Sequence, residues 1–471
     1  MLAHKRGEYV EIEIDSLAYG GNGVGRTDDG LVVFVEDGLP GQLVSARLGK
    51  VKKNYAYASV AEIRRQSPDY CEPRCLYFGS CGGCRLQHLS YDVQVSAKGE
   101  QVRDAMVRIG GFADPPVGNI IPSPSVFGYR NKMEYSFGSV RWLEAEEMEQ
   151  LEDVPNRDFA LGLHPRRRWN RIIDIQECHL PSRLSTDILK LVQESTSKSS
   201  YRPYITTTHT GFWRFLIVRE GVRTRQCLVD LVTSDEPQAR GEIDSLARKI
   251  KAAHPEVTTI THTINRSKAA VATGDEFHVL IGPGFIEEEI EDVRFQISPR
   301  AFFQTNTEAA ELLYREAITL AALEGSEVVY DLYCGTGTIT LLMARKAGRA
   351  VGFELVPSAV SDARNNADLN GMDNVEFVEG DVLELMGEGA GWGEPDVVVL
   401  NPPRAGLHPD VRTLVSVLGA SRIVYVSCNP TTLAADLSVI CKNGYRLEIV
   451  KPLDMFPHTP HVECVALLVA I

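Results

Sequence analysis

An apolar run ends in a glycine-rich turn in the segment Val328-Val-Tyr-Asp-Leu-Tyr-Cys-Gly-Thr-Gly-Thr338, and a helical pattern follows near 338–348. Strands of a parallel sheet are covered on both faces, so they form short continuous apolar runs of this kind. Glycines between a strand and a helix let the backbone approach a ligand closely. The segment therefore predicts a strand, a nucleotide-binding turn and a helix of an open α/β sheet.

Apolar runs and helical patterns alternate from about residue 305 to the end of the chain. This alternation predicts a doubly wound α/β sheet, in which helices connect parallel strands. Two apolar runs follow one another at the very end, which allows a terminal antiparallel hairpin. The predicted strands are 328–333, 350–354, 375–379, 396–400, 422–427, 446–451 and 462–470, and the predicted helices are 307–323, 338–348, 357–371, 408–419 and 431–443.

The composition is that of a globular protein, because 44% of its 471 residues are hydrophobic, and the length suits about three domains. No secretory signal follows the first six residues, and the longest apolar runs are far below the roughly 20 residues that span a bilayer. We therefore expect a cytoplasmic protein with no membrane partner. The net charge of −14 does not indicate a polyanionic partner, although basic residues cluster at 47–65 and 166–171.

The N-terminal and central regions have different patterns. In residues 1–66, Val10, Ile12 and Ile14 alternate with acidic residues, and glycine-rich turns separate short strands. This predicts a small OB-like barrel, a fold that commonly binds single-stranded nucleic acid. Residues 125–290 are predicted to be mixed α and β. Further predicted elements are helices at 91–110, 182–196 and 236–254, strands at 204–208, 215–218, 226–232 and 258–263, and a solvated acidic loop at 144–153.

Four of the ten cysteines crowd between residues 71 and 84, in a segment rich in proline and glycine. In a reducing compartment such crowding indicates a metal site rather than disulfides. The spacing Cys75-x5-Cys81-x2-Cys84 resembles that of iron–sulfur ligands with a distant fourth cysteine. A zinc site with four cysteine ligands is the alternative.

Polar residues follow the predicted strands at the carboxyl edge, where open α/β sheets bind ligands. Glu354 ends a strand 19 residues after Gly335, and an acid there can bind both hydroxyls of a ribose. Asp381 and Asn401 follow the next two strands. The Gly335-x-Gly337 pattern is not a complete G-x-G-x-x-G, so S-adenosylmethionine fits these features better than a dinucleotide.

A cysteine follows another predicted strand, in the segment Ser427-Cys-Asn-Pro430. Cys428 therefore lies before a tight turn, where open α/β sheets place reactive groups. Together with the glycine turn, this indicates a cofactor-dependent enzyme with a cysteine nucleophile. A small buried side chain is the alternative role for a cysteine, and it is the interpretation we give to Cys227, Cys334, Cys441 and Cys464.

Five segments resemble, in order, motifs of the uracil-5-carbon RNA methyltransferases. The resemblance covers nearly the whole chain and implies a Rossmann-like methyltransferase domain with an N-terminal TRAM barrel and a mixed α+β central iron–sulfur domain. The implied boundaries are 1–66 for the TRAM barrel, 67–92 with 125–290 for the iron–sulfur domain, and 93–124 with 291–471 for the methyltransferase domain. The motifs are Phe303-Gln-Thr-Asn306, Asp331-Leu-Tyr-Cys-Gly335, Asn401-Pro-Pro-Arg-Ala-Gly406, Ser427-Cys-Asn-Pro430 and Met455-Phe-Pro-His-Thr-Pro-His-Val-Glu463.

The resemblance implies roles for individual residues. The Cys428 thiolate would add to carbon 6 of uracil, so that carbon 5 can attack the sulfonium methyl group, and Glu463 would then remove the carbon 5 proton. The target base would have to leave its stack. The family usually has Asp at position 401 and often Asn at 338, whereas this chain has Asn401 and Thr338. The implied cofactor contacts are Gln304, Tyr333, Gly335, Gly337, Thr338, Glu354, Asp381 and Asn401.

The resemblance also implies a 4Fe–4S cluster and an RNA partner. The family signature begins at Cys75, so Cys71 is assigned no role, and the segment around Cys178 is similar to the one that carries the fourth ligand. Barrel and cluster together favour 23S rRNA as the substrate, with tRNA as the alternative, and we expect a monomer. The implied cluster ligands are Cys75, Cys81, Cys84 and Cys178.

Three other functions are compatible with parts of the sequence. Asn401-Pro-Pro resembles the motif of adenine amino-group methyltransferases, but Arg404 stands where those enzymes have an aromatic residue. Radical methylthiotransferases also carry TRAM domains, but they need Cys-x3-Cys-x2-Cys, which is absent from the cysteine cluster. A non-catalytic RNA-binding protein would not need Cys428.

Overall fold

The computed structural model of the chain describes residues 4–149, 156–387 and 391–471. Its first part is a closed five-stranded barrel with the strand order β1-β2-β3-β5-β4, which confirms the predicted N-terminal barrel. Alternate residues such as Ile12, Ile14, Val33 and Val35 are fully buried inside it, because successive side chains of a strand point to opposite faces. The strands are β1 (Tyr9–Leu17), β2 (Gly23–Arg26), β3 (Val32–Glu36), β4 (Leu43–Val51) and β5 (Tyr55–Arg65).

The central region forms a seven-stranded sheet with the order β12-β11-β10-β9-β6-β7-β8. Helices α3 and α4 form where the sequence predicts helices at 182–196 and 236–254. Ser182 caps α3 by accepting a hydrogen bond from the Ser185 N–H. The elements are α1 (Tyr91–Arg108), β6 (Lys132–Gly138), α2 (Ala145–Glu149), β7 (Ala160–Leu163), β8 (Ile173–Asp174), α3 (Arg183–Ser197), β9 (Trp213–Glu220), β10 (Cys227–Thr233), α4 (Arg240–Ala253), β11 (Val257–Ile264) and β12 (Glu276–Ile281).

Two local predictions in this region are wrong. Residues 204–208 form a turn instead of a strand, because the Ile205 N–H donates to the Thr210 carbonyl and His209 adopts a left-handed φ of 58°. The acidic segment begins with helix α2 instead of a loop, and Arg141 forms an ion pair with Glu147 at 2.6 Å. The rest of that segment, 150–153, lies outside the described residues.

The C-terminal region is a seven-stranded sheet with the order β17-β16-β15-β18-β19-β21-β20. Its first five strands are parallel and β21 lies antiparallel between β19 and β20, which confirms the α/β sheet and its terminal hairpin. Its elements follow the small β13–β14 hairpin. The bounds are β13 (Ile286–Ile290), β14 (Val293–Ile297), α5 (Thr307–Ala321), β15 (Val328–Leu332), α6 (Thr338–Ala344), β16 (Arg349–Glu354), α7 (Pro357–Leu369), β17 (Val375–Glu379), α8 (Val382–Gly387), β18 (Val397–Leu400), α9 (Pro409–Val417), β19 (Arg422–Ser427), α10 (Pro430–Lys442), β20 (Tyr445–Leu453) and β21 (Glu463–Ala470).

Helix α1 packs on this C-terminal sheet although it precedes the central region in sequence. Val102, Ala105 and Met106 of α1 lie in one buried cluster with residues of α10 and the sheet. Val117 and Ile121 pair with Val450 and Leu453 of β20. Among the described residues, every helix is too short or too polar to cross a membrane.

Two arginines of the basic segment 166–171 form ion pairs with acidic residues of the barrel. Arg166 donates to both carboxylate oxygens of Asp37 at 2.7 Å and its guanidinium lies 5.5 Å from the ring centre of Phe78. Arg167 pairs with Glu36 at 3.0 Å. These contacts join the end of β3 to the region of the cysteine cluster.

Candidate active site and cysteine cavity

The carboxyl ends of five parallel strands meet at one edge of the C-terminal sheet. Strand order reverses between β15 and β18, because β16 and β17 lie on one side of β15 and β19 lies beyond β18. Such a reversal opens a crevice for ligands. The sequence-predicted residues that end or follow these strands at this edge are Tyr333, Glu354, Asp381, Asn401 and Cys428.

The glycine-rich turn after β15 has a strained backbone. Tyr333, Gly335 and Gly337 adopt positive φ angles of 70°, 56° and 80°, which is uncommon for a tyrosine. A Cβ atom at Gly337 would lie 2.7 Å from the ring of Phe377, so a larger residue there would force this ring to move. Thr338, the next residue, begins α6 and is buried.

Glu354 holds this turn through its carboxylate. One oxygen accepts a hydrogen bond from the Gly335 N–H at 3.0 Å, and the other accepts one from the Val356 N–H at 2.9 Å. Each oxygen keeps a second lone pair, so the group can still accept hydrogen bonds from a ligand. Asp381 accepts a hydrogen bond from the Leu383 N–H at 2.8 Å at the start of α8.

A buried acidic residue, Asp331, connects the strand before the turn to the helix after it. It accepts a hydrogen bond from the Thr340 hydroxyl at 2.6 Å, and burial raises its pKa to about 7. Its other oxygen has no hydrogen-bond partner within the described part of the chain. The sequence placed Asp331 in the strand that leads into the turn but did not show that its carboxyl group is buried next to the turn.

The Phe303–Asn306 motif lies against the same turn. The Thr336 hydroxyl donates to the Phe302 carbonyl at 3.4 Å, and the side chain of Gln304 is buried. Asn306 caps α5 and donates to the Met455 carbonyl at 2.9 Å. The motif thereby connects the cofactor turn to the segment that leads to Glu463.

Cys428 and Glu463 lie opposite one another at the ends of two neighbouring antiparallel strands, β19 and β21. Ser427 of β19 pairs with Cys464 of β21, so Cys428 and Glu463 occupy the next positions of the antiparallel pair. Asn429 caps α10 and donates to the Arg404 carbonyl at 3.1 Å, which joins the cysteine turn to the Asn401–Gly406 motif. The structure therefore brings three sequence motifs to one place.

The electrostatics of this site are set by burial and by one guanidinium. Glu463 is only 4% exposed, and burial raises its pKa to about 8, with Arg404 opposing the shift. Burial and the charge of Glu463 raise the pKa of the half-buried Cys428 thiol, while the charge and a hydrogen bond of Arg404 lower it. Arg404 therefore favours the ionised form of both groups, a role that its sequence position did not indicate.

The structure brings the four predicted cluster cysteines to a second place. Cys75, Cys81, Cys84 and Cys178 line one cavity of about 530 Å³, whereas Cys71 is exposed. Burial, followed by neighbouring cysteines, raises the pKa of Cys178 to about 12. The described residues contain no group of three or more His, Cys, Asp or Glu side chains close enough to hold a metal ion. The iron–sulfur cluster therefore stays a prediction.

Comparison with known proteins shows which families and relatives the chain is similar to. A family model described as tRNA (uracil-5-)-methyltransferase matches residues 394–471, a TRAM model matches residues 3–61 and a methyltransferase-domain model matches residues 323–419. A Chlorobaculum tepidum protein named as an RNA methyltransferase is 38% identical over 99% of this chain and 97% of its own length. A similarly named protein of Nitratidesulfovibrio vulgaris is 38% identical over 98% of this chain and 96% of its own.

A solved structure is similar over nearly the whole chain. It is the crystal structure of Pyrococcus abyssi tRNA (uracil-54, C5)-methyltransferase in complex with S-adenosyl-L-homocysteine. The TM-score is 0.73 and the sequence identity is 30%, and the alignment covers 98% of this chain and 100% of that one.

Proposed function

The chain belongs to the family of S-adenosylmethionine-dependent RNA uracil methyltransferases, and we propose that it methylates carbon 5 of a specific uridine through a covalent adduct between Cys428 and carbon 6 of the base. The observation that carries this proposal is the juxtaposition of Cys428 and Glu463 at the ends of paired strands, with Arg404 beside both. A nucleophile, a base and a cation are the groups that this reaction needs.

The reaction begins with the thiolate. The Cys428 thiol releases its proton to solvent, an ionisation that Arg404 favours, and its sulfur then adds to carbon 6. The electron pair of the double bond between carbons 5 and 6 moves onto the carbonyl oxygen at carbon 4, and carbon 5 of this enolate is nucleophilic. S-adenosylmethionine, when bound, would supply an electrophilic methyl group, whose bond to the sulfonium sulfur breaks to leave the neutral thioether S-adenosylhomocysteine. After carbon 5 has gained this methyl group, Glu463 removes the proton from carbon 5, and the electron pair expels the Cys428 thiolate from carbon 6. This elimination re-forms the double bond between carbons 5 and 6 and gives 5-methyluracil.

Glu463 suits the role of a base that works near neutral pH. A general base acts best when its pKa lies close to the operating pH, and burial raises the pKa of Glu463 to about 8. The charge of Arg404 limits this rise in pKa, so Glu463 can still lose its proton near neutral pH. The site thus combines a basic carboxylate with a cation that stabilises its ionised form.

The cofactor would occupy the crevice beside the glycine turn. Glu354 has free lone pairs for the ribose hydroxyls, and the Gly335–Gly337 backbone allows close approach. Asn401 has an amide in place of the carboxylate usual in the family, so it can both donate and accept a hydrogen bond. We assign the cofactor contacts to Gln304, Tyr333, Gly335, Gly337, Thr338, Glu354, Asp381 and Asn401.

We also propose that the cysteine cavity holds a 4Fe–4S cluster. Cys75, Cys81, Cys84 and Cys178 are among the residues that line one cavity, and the spacing of the first three resembles that of iron–sulfur ligands with a distant fourth cysteine. The cavity is also lined by Phe303 and His461, which belong to motifs of the methyltransferase region. The cluster would therefore join the central region to the active-site segments, with no electron transfer required.

Iron and sulfide analysis of anaerobically purified protein tests this cluster. We expect iron and acid-labile sulfide in the full-length protein and the loss of both in Cys178→Ser. Cys71→Ser is the matched control, because Cys71 lies in the same loop but does not line the cavity, and it should retain both. Zinc in place of iron would contradict the proposal.

Two RNA substrates are candidates. The N-terminal barrel with the four cysteines favours 23S rRNA, and the full-length similarity to a structure named for a tRNA uracil-54 methyltransferase favours tRNA. Mass mapping of both RNAs, from cells with and without the gene, identifies the uridine that loses its methyl group. Loss of a methylated adenine instead would contradict uracil methylation.

Complementation tests the chemistry. Cys428→Ala should restore no methylation in such cells, because carbon 6 then has no nucleophile. Cys441→Ala is the matched control, since Cys441 is also half-buried but lies near the far end of α10, and it should restore the modification fully. Methylation by Cys428→Ala would contradict the proposed mechanism.

A further inference from the structure

The turn between β1 and β2 of the N-terminal barrel is held against the methyltransferase region. Gln101 of α1 donates hydrogen bonds to the carbonyls of Leu17 and Ala18 at 3.1 and 3.4 Å. Gly20 and Gly21 have positive φ angles of 98° and 83°, so the chain reverses sharply just after residue 19. This turn is therefore fixed to α1 and not free at the barrel surface.

The same turn approaches the segment that leads to Glu463. A Cβ atom at Gly21 would lie 3.5 Å from Cβ of Pro460 and 3.7 Å from a methyl group of Leu86. Leu17 and Leu86 also belong to one small buried cluster. Pro460 lies three residues before Glu463, so the barrel turn reaches the vicinity of the active site.

Tyr19 lies at the tip of this turn, two residues before Gly21, and is close enough to Cys428 and Glu463 for their charges to act on it. Burial raises the pKa of its phenol, the nearby Cys428 and Glu463 raise it further, and Arg404 lowers it. The side chain is nevertheless 37% exposed, so a substrate can reach it. Among the described residues, none forms a hydrogen bond with the Tyr19 hydroxyl group.

We propose that Tyr19 is a substrate-contacting residue of the methyltransferase reaction, whose ring packs against the uridine that reaches Cys428. This inference rests on the proposed function. A base that leaves its stack loses stacking energy, and an aromatic ring can replace part of it. The N-terminal barrel would then supply a wall of the active site in addition to any RNA surface of its own.

The test is the rate of covalent trapping by 5-fluorouridine RNA with S-adenosylmethionine, measured at saturating RNA in a single turnover. Tyr19→Ala should slow trapping at least about tenfold, as expected for the loss of one aromatic–base contact. Tyr19→Phe, which keeps the ring, should stay within about twofold of the unchanged protein.

Two controls separate contact with the base from other effects. Tyr57→Ala removes an exposed barrel tyrosine that lies on β5, and it should leave the saturated rate unchanged. Gln101→Ala loosens the turn without touching the ring, and it should slow trapping less than Tyr19→Ala. Equal loss in both variants would mean that Tyr19 acts only through the docking of the turn, and would overturn the inference.

Other outcomes are also decisive. Trapping by Tyr19→Ala at the unchanged rate would overturn the inference, as would equal losses in Tyr19→Ala and Tyr19→Phe. If Tyr19→Ala does not fold, Tyr19→Leu takes its place with the same expected loss. If the unchanged protein methylates RNA but forms no trapped complex, this result contradicts the covalent mechanism itself and not only the role of Tyr19. If it forms the complex and the Tyr19 variants do so equally, only the role of Tyr19 fails.

Discussion

Glu463 is the residue whose protonation couples the active site to stability. Burial raises its pKa to about 8 from the ordinary 4.5, so the folded protein holds a proton that the unfolded chain releases. The resulting stabilisation is complete below about pH 4.5 and is lost as the pH rises through about 8. Glu463→Gln stays neutral, so its free energy of unfolding should rise relative to the unchanged protein across this window. Chemical denaturation at a series of pH values measures the difference, and a constant difference would contradict it.

The same substitution also separates two steps of the reaction. Glu463→Gln should still form the adduct and accept the methyl group, because the base acts only after methyl transfer. The methylated RNA would then remain bound to Cys428. We expect a covalent complex with ordinary uridine RNA on a denaturing gel, with turnover lost. Normal turnover would contradict the role of Glu463.

Arg404 is expected to control the reactivity of the thiol. Its charge and hydrogen bond lower the pKa of Cys428 against the effects of burial and Glu463. Arg404→Met should therefore slow alkylation of Cys428 by iodoacetamide at pH 8 several-fold, as measured by mass spectrometry of the Cys428 peptide. Arg446→Met, at an exposed position on β20, is the control and should leave the rate unchanged. Faster alkylation of the Arg404 variant would contradict this role.

At the scale of elements, a buried ion pair joins α1 to the end of β20. Lys98 donates to the Asp454 carboxylate at 2.6 Å and to the Phe456 carbonyl at 3.1 Å, and both ionic side chains are at most 1% exposed. Lys98→Met should lower the free energy of unfolding by about 3–5 kcal/mol, because Asp454 would keep an unpaired buried charge.

The matched comparison for this pair lies on the same helix. Arg108 pairs with Asp104 at 3.1 Å on the surface, and Arg108→Met should cost less than about 1 kcal/mol. Denaturant titration of both variants measures the two losses. Equal small losses would show that the Lys98–Asp454 pair does not fix the segment leading to Glu463.

The sequence allowed many of these elements to be predicted where local signals agree. Continuous apolar runs identified the parallel strands, and Asn306, Asn429 and Pro409 begin helices as capping rules expect. The prediction failed at 204–208, where β-branched residues suggested a strand but a turn forms with His209 in the left-handed region. The hydrogen-bonded turn therefore forms in spite of the high β propensity of residues 204–208.

At the scale of the whole molecule, contacts between distant segments could not be predicted. The strand-end rule placed Cys428 at the sheet edge, but the pairing of β19 with β21 sets Glu463 beside it. Nothing near residue 19 in the sequence indicates that a barrel turn reaches the same site. Similarly, the spacing around Cys75 indicated a ligand loop, while the approach of Cys178 depends on tertiary structure and was inferred only from resemblance.

The covalent bond between Cys428 and uracil is the central claim, and trapping with RNA that carries 5-fluorouridine at the mapped position tests it most directly. Fluorine at carbon 5 cannot leave as a proton does, so the adduct should persist after methyl transfer. We expect a one-to-one protein–RNA complex that survives denaturation, with the modified peptide containing Cys428. A protein that binds S-adenosylmethionine and methylates ordinary uridine, yet yields no such complex or one linked through another residue, would contradict the account.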